Sequence, residues 1–290
     1  MLIQFLDGGY LHPTCLPPYK QLTKRIFSMK VSKIFSLIFA LTLCANQAFS
    51  DDSQAFNKIT VSEEVHHANA DILKDYIIKF HARGGAYIVL NTETKDLIDK
   101  QFVGSVWEGF PIWSHNSLRL FNYAIGLHTG AIKEDEKIIF NTSEKKLFDR
   151  IAKADREAYL KPYIVKDTAM PMTLLLSYIK LFKNADGYLS ESQIAKLKSA
   201  VSENVKTGKA TRANVEGASV AGLGSTTDKD KDGKEVYTVF VGEFEANGKN
   251  YAIITMLDAP EALKSTYGFN SSGWNAVPLA GEIIKNISNK

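Results

Sequence analysis

Cysteine is nearly missing from this chain of 290 residues: only Cys15 and Cys44 occur, both ahead of residue 50. No disulfide framework or cysteine-based zinc site is therefore available to the rest of the sequence. Strong charge of either sign is missing too. The 35 Lys and Arg nearly balance the 32 Asp and Glu, and a net charge of +3 supplies no basic field for nucleic acid. Long apolar runs are absent as well. The stretch Ile34–Leu43 has ten residues, half of the roughly 20 that a membrane-spanning helix needs. No internal repeat and no low-complexity linker divides the chain. With 45% hydrophobic and 23% charged residues, the composition is globular and large enough for a single core.

The N-terminal part reads as targeting sequence. Met29 opens a segment with Lys30 and Lys33, the short apolar core, and then Ala48-Phe49-Ser50, with small residues at the −3 and −1 places before Asp51. This is the pattern of a secretory signal peptide over 29–50, with cleavage after Ser50. Residues 1–28 are read as an over-long start and 51–290 as the domain. Two alternatives remain for the segment. It stays uncleaved as an anchor, or Cys44 is lipidated; Leu43, where a small residue is usual, weakens the second.

The most informative stretch is Asn214–Pro260. Small residues from Ser219 to Gly222 suit a strand that another backbone approaches closely. Asp228–Lys234 is a charged turn ending in Asp232-Gly233, and Asn247-Gly248 is a second hairpin signal. The runs Tyr237–Phe244 and Tyr251–Leu257 are β-branched and aromatic. Three antiparallel strands followed by an amphipathic helix over 276–287 are expected. Upstream, Ser62 caps a predicted helix over 63–82 ended by Arg83-Gly84-Gly85. Strands are predicted at Ala86–Leu90 and around Leu97 and Ile98, and 101–111 reads as irregular. Helices are predicted over 114–129, 144–159, 169–183 and 191–205.

These landmarks resemble the transpeptidase domain of class B, cell-division penicillin-binding proteins. Lys206-Thr207-Gly208-Lys209-Ala210, Val220-Ala221-Gly222, Phe240-Val241-Gly242, Asp258-Ala259-Pro260 and Ala276-Val277-Pro278 follow that family's order. Ile59-Thr60, Gly85–Asn91 and Thr94–Ile98 resemble its opening, so the likeness covers about 59–288. It implies an α/β (α+β) fold of the β-lactamase/transpeptidase type, an antiparallel sheet flanked by helices around a buried central helix.

The resemblance also implies acyl-transfer chemistry. In that family a serine one turn before a lysine attacks the substrate, because residues i and i+3 share a helix face. A Lys-Thr-Gly strand holds the substrate carboxylate and gives an oxyanion-hole donor. Matching Ala124–Gly130 to the family's helix ending puts the nucleophile position at Asn116 and its partner lysine at Arg119. The strand triplet becomes Leu223-Gly224-Ser225, followed by Thr226. Asparagine is a poor nucleophile, and Arg119 stays protonated and cannot act as a base. The Ser-x-Asn loop has no counterpart in the shortened 138–168 interval. Isolated strings do fit the motifs: Ser143–Lys146, Ser177–Lys180, Ser114–Asn116, Ser202–Asn204 and Lys206–Gly208. Their placement does not form one cleft, and the last of them falls at a helix C-terminus.

The expectation is a non-catalytic binding or scaffold protein of the cell envelope, in the periplasm, whose partner is a peptidoglycan peptide or an envelope protein. No nucleic-acid partner is expected, and a membrane only if the signal stays uncleaved. One alternative is an active serine DD-transpeptidase or carboxypeptidase that uses Ser117, with His115 as base, or Ser225. Another is a secreted effector-like binding protein. No cofactor and no metal are expected. Asp228–Gly233 opens like a calcium loop, but its twelfth position is Val239, where a glutamate is required. His66-His67 and His81 read as exposed surface residues.

Overall fold

A computed structural model describes residues 59–104, 106, 110–111, 119–140, 151, 168–169, 171–185, 187–229 and 234–289. The predicted signal, over-long start, helix 144–159, hairpin tip Asp232-Gly233 and positions 114–118 lie outside these residues. No described helix is long and apolar enough to cross a membrane.

Helix α1 runs over Glu63–Lys79, with the Ser62 hydroxyl accepting from the Val65 amide and Glu63 and Glu64 in the first turn. It stops before the predicted end. His81 takes a left-handed turn at φ 49°, and the glycines read as its terminator belong to strand β1, Gly84–Asn91. A Cβ on Gly84 would run into the Val103 carbonyl, so close strand approach claims this glycine. Strand β2 spans Leu97–Val103 and takes in residues 101–103, which were expected to be irregular.

After the two-residue strand β3 (Phe110–Pro111) come helix α2, Arg119–His128, and the two-residue strand β4 (Thr168–Ala169). Helices α3, Pro171–Phe182, and α4, Glu191–Lys206, follow. Ser190 and Gln193 cap α4 reciprocally. Strands β5 (Ser219–Asp228), β6 (Val236–Ala246) and β7 (Lys249–Asp258) form the predicted meander. Asn247 and Gly248 both have positive φ in the tight β6–β7 turn. Helix α5, Ala276–Ser288, closes the described chain.

The sheet is antiparallel throughout, in the order β2-β1-β7-β6-β5. Alternation along the strands divides its residues between two cores. Ile88, Leu223, Val239, Val241 and Ile254 join residues of α2, α3 and α4 on one face. Tyr87, Val220, Phe240, Ile253 and Leu257 join α1 and α5 on the other. The predicted antiparallel sheet flanked by helices is borne out. Helix α2 is the central one, with Leu120 to Leu127 buried along its whole length.

One acidic group intrudes on the first face. Burial raises the Glu243 pKa, against the lowering effect of Lys198 and Lys183. Burial, and then the charge of Glu243, push the Tyr178 phenol up as well. A carboxyl whose folded pKa lies above its unfolded value contributes most below the unfolded pKa and loses that contribution as pH rises through the folded one. Glu243→Gln is therefore expected to raise the melting temperature at pH 7 and to leave it nearly unchanged at pH 4. Equal shifts at both pH values would refute this.

Candidate functional site

Strand β5 is an outer strand of the sheet, hydrogen-bonded only to β6 among the described strands. Its residues alternate between the faces. Leu223 is 5% exposed, lies opposite Val241 and packs in the core that holds Leu120 and Phe121 of α2. Ser225 is also buried, and by strand parity it shares the side of Leu223. Gly224 and Thr226 face the other way. A Cβ on Gly224 would press on Ser272 and Val277, and the Thr226 hydroxyl accepts from the Ser272 amide at 3.0 Å.

Arg119 is the first residue of α2, beside the buried Leu120. Asn116, Ser117 and His115 lie outside the described residues. The helix start and the β5 motif positions thus border one hydrophobic cluster through Leu120, Phe121 and Leu223. At the Leu223 position this cluster presents an apolar side chain where the resemblance requires a cation.

The isolated motif strings resolve as structural features where they are described. The Ser177 hydroxyl donates to the Thr173 carbonyl of its own helix at 2.8 Å. Lys206 ends α4, and the Thr207 amide bonds to the Glu203 and Asn204 carbonyls. Asn204 is buried; its side chain donates to the Gly222 carbonyl at 2.9 Å and accepts from the Lys209 amide. It locks the end of α4 onto β5. Ser143–Lys146 and Ser114–Asn116 fall outside the described residues. Val239, the twelfth place of the calcium pattern, is a core residue of β6.

The histidine reading needs correction at His66. Its Nδ1 lies 2.7 Å from Asp99, which is fully buried. Asn69 donates to the same carboxyl at 2.7 Å and the Tyr87 hydroxyl at 3.0 Å. Asn286 then donates to Asn69 at 2.9 Å. Burial, and then the Asp99 charge and hydrogen bond, hold the Tyr87 phenol far above its ordinary pKa. The cluster therefore ties α1, β1, β2 and α5 together. The pairing missed from the sequence had one usable signal: His66 and Asn69 are three apart and share a helix face. His81 is exposed as expected, 2.8 Å from the exposed Glu261.

At the other end of the sheet, Lys229 bonds to Asp258 at 2.7 Å. Burial lowers the Lys229 pKa, but the hydrogen bond and charge of Asp258 outweigh it and the net shift is upward. Asp258 is the aspartate of the Asp258-Ala259-Pro260 landmark, and it works here as an anchor for the β5–β6 connection.

The architecture has known counterparts. The transpeptidase domain of FtsI4 D,D-transpeptidase from Legionella pneumophila superposes with a TM-score of 0.64 at 15% identity, covering 79% of this chain and 99% of that one. The transpeptidase domain of penicillin-binding protein 3 from Burkholderia pseudomallei gives 0.63 at 13% identity, covering 80% and 95%. The chain has the fold of a class B penicillin-binding-protein transpeptidase domain. In sequence, it is 29% identical over 113 residues to a probable peptidoglycan D,D-transpeptidase FtsI of Caulobacter vibrioides, 34% of this chain. It spans about a fifth, 19%, of that relative's length. No protein-family model matches the chain.

Proposed function

We propose that this transpeptidase-like domain is a non-catalytic binding or scaffold protein that recognises peptidoglycan. The observation that carries this reading is the burial of Leu223, 5% exposed within the core shared with α2. Acylation needs a nucleophile, a base and a fixed cation converging on one cleft. At these positions the sequence offers Asn116, Arg119 and Leu223. Arginine does not release its proton to serve as a base, and leucine does not hold a carboxylate. Ser225, the relocated alternative, is buried on the Leu223 side of β5. The peptidoglycan connection rests on the likeness to D,D-transpeptidase domains. The signal-like segment 29–50 supports action on the periplasmic side of the membrane.

The test is covalent labelling. The full chain, shown folded by a cooperative melt, is incubated with a fluorescent penicillin and its intact mass is recorded. No adduct is expected. A stoichiometric adduct that disappears in Ser117→Ala or Ser225→Ala would establish a moved active site and overturn the non-catalytic reading.

A further inference from the structure

The connection from β7 to α5, residues 259–275, does more than join two elements. Thr266, Ser272 and Asn275 are buried within it. The Thr266 hydroxyl bonds to the carbonyls of Leu263 and Phe269 at 2.9 and 2.8 Å. Amides of Thr266, Gly268 and Phe269 close further turns within the loop, and Asn270 bonds to the Pro260 carbonyl. The Ser272 amide fastens the loop to Thr226 of β5. The loop is therefore built rigidly and sits against the strand that carries the motif positions.

This rigid frame holds two large side chains out in water. Tyr267 is 80% exposed and Phe269 63%. Tyr267 also adopts a left-handed backbone, φ 54°, which non-glycine residues enter at a cost. That conformation ends the turn Lys264–Thr266, where the Tyr267 amide bonds to the Lys264 carbonyl, and the ring is left largely in water. Behind Tyr267, the Trp274 ring meets it edge-on at 5.8 Å. Arg212 lies 3.8 Å over the Trp274 ring and donates to the Gly273 carbonyl. Arg212, Lys209 and Lys264 are exposed; the Lys209 backbone lies against Gly273, next to Trp274, and Lys264 belongs to the same loop. The one acid of this loop, Glu261, is paired with His81.

Flat aromatic faces held rigid in water suit the C–H faces of sugar rings, whose partial positive charge complements the negative ring face. The exposed cations on and beside this loop suit the carboxylates of the peptide stems that those sugars carry. We propose that Tyr267 and Phe269, backed by Trp274 and Arg212, form a binding platform for the glycan strand of peptidoglycan. This rests on the peptidoglycan reading above but names a different part of the polymer, the sugar chain rather than the peptide.

The full chain is tested against purified sacculi, a tetramer of N-acetylglucosamine, and stem peptides freed from glycan. Binding to sacculi and tetramer is expected, and Tyr267→Ala/Phe269→Ala is expected to weaken both at least about tenfold with an unchanged melting temperature. Undiminished binding by that variant overturns the platform. Binding to stem peptides without binding to the tetramer also overturns it and leaves the peptidoglycan reading standing. Binding to none of the three overturns both.

Discussion

Replacing Asp99 with alanine is expected to destabilise the folded chain by about 3 kcal/mol, lowering the melting temperature by roughly 10 °C. The carboxyl has no exposure and accepts from His66, Asn69 and Tyr87. Removing it leaves the buried Tyr87 hydroxyl and the Asn69 amide without their acceptor, and each orphaned group keeps its full desolvation penalty. The Asn69–Asn286 bond between α1 and α5 then loses its anchor. The variant His66→Ala is expected to cost less than about 1 kcal/mol, because His66 is partly solvated and its loss leaves Asp99 two donors. Denaturant unfolding of the three proteins checks the order. Equal losses for the two variants would mean that the histidine pair, not the buried acceptor, holds the cluster.

Leu223→Lys is expected to cost about 3 kcal/mol and not to create penicillin binding. On the resemblance alone this substitution restores a missing cation. In the folded chain the position is 5% exposed and packed among α2, α3 and β6 residues, so a lysine there either loses its hydration or displaces the core around it. Calorimetric melts measure the first effect and intact mass after penicillin treatment the second. A variant as stable as the parent would place residue 223 at a wet cleft. That result would remove the main support for the non-catalytic reading.

The two substitutions separate what sequence patterns can and cannot carry. The meander at 219–258 was legible because β-branched runs and Asn247-Gly248 specify local geometry, and the turn does adopt positive φ at both residues. Helix α1 was legible at its start, where a cap and acidic first turn act locally, and misread at its end. There Gly84 and Gly85 serve close strand pairing, which local rules do not contain. The residue types at the positions the resemblance assigns, Asn116, Arg119 and Leu223, can be read directly. Whether Leu223 borders a cleft or fills a core depends on neighbours from α2 and β6, about 100 and 20 residues away in sequence.

Asp99 marks the boundary most sharply. By simple alternation it should share the face of Leu97, among the apolar residues that meet α2, α3 and α4. Register shifts between Val89 and Leu90, so that Leu90 pairs with Leu97 while Val89 pairs with Asp99. The extra residue, Ile98, reverses the parity of the strand. It turns Asp99 toward Tyr87, His66 and Asn69 on the α1 side, while Leu97 keeps its place on the other. The sequence by itself determined most of the element types and the strand meander, because these depend on neighbouring residues. Only the tertiary structure decided which face each polar residue meets, because one bulge inverts a strand and the acceptors and donors it joins come from distant parts of the chain.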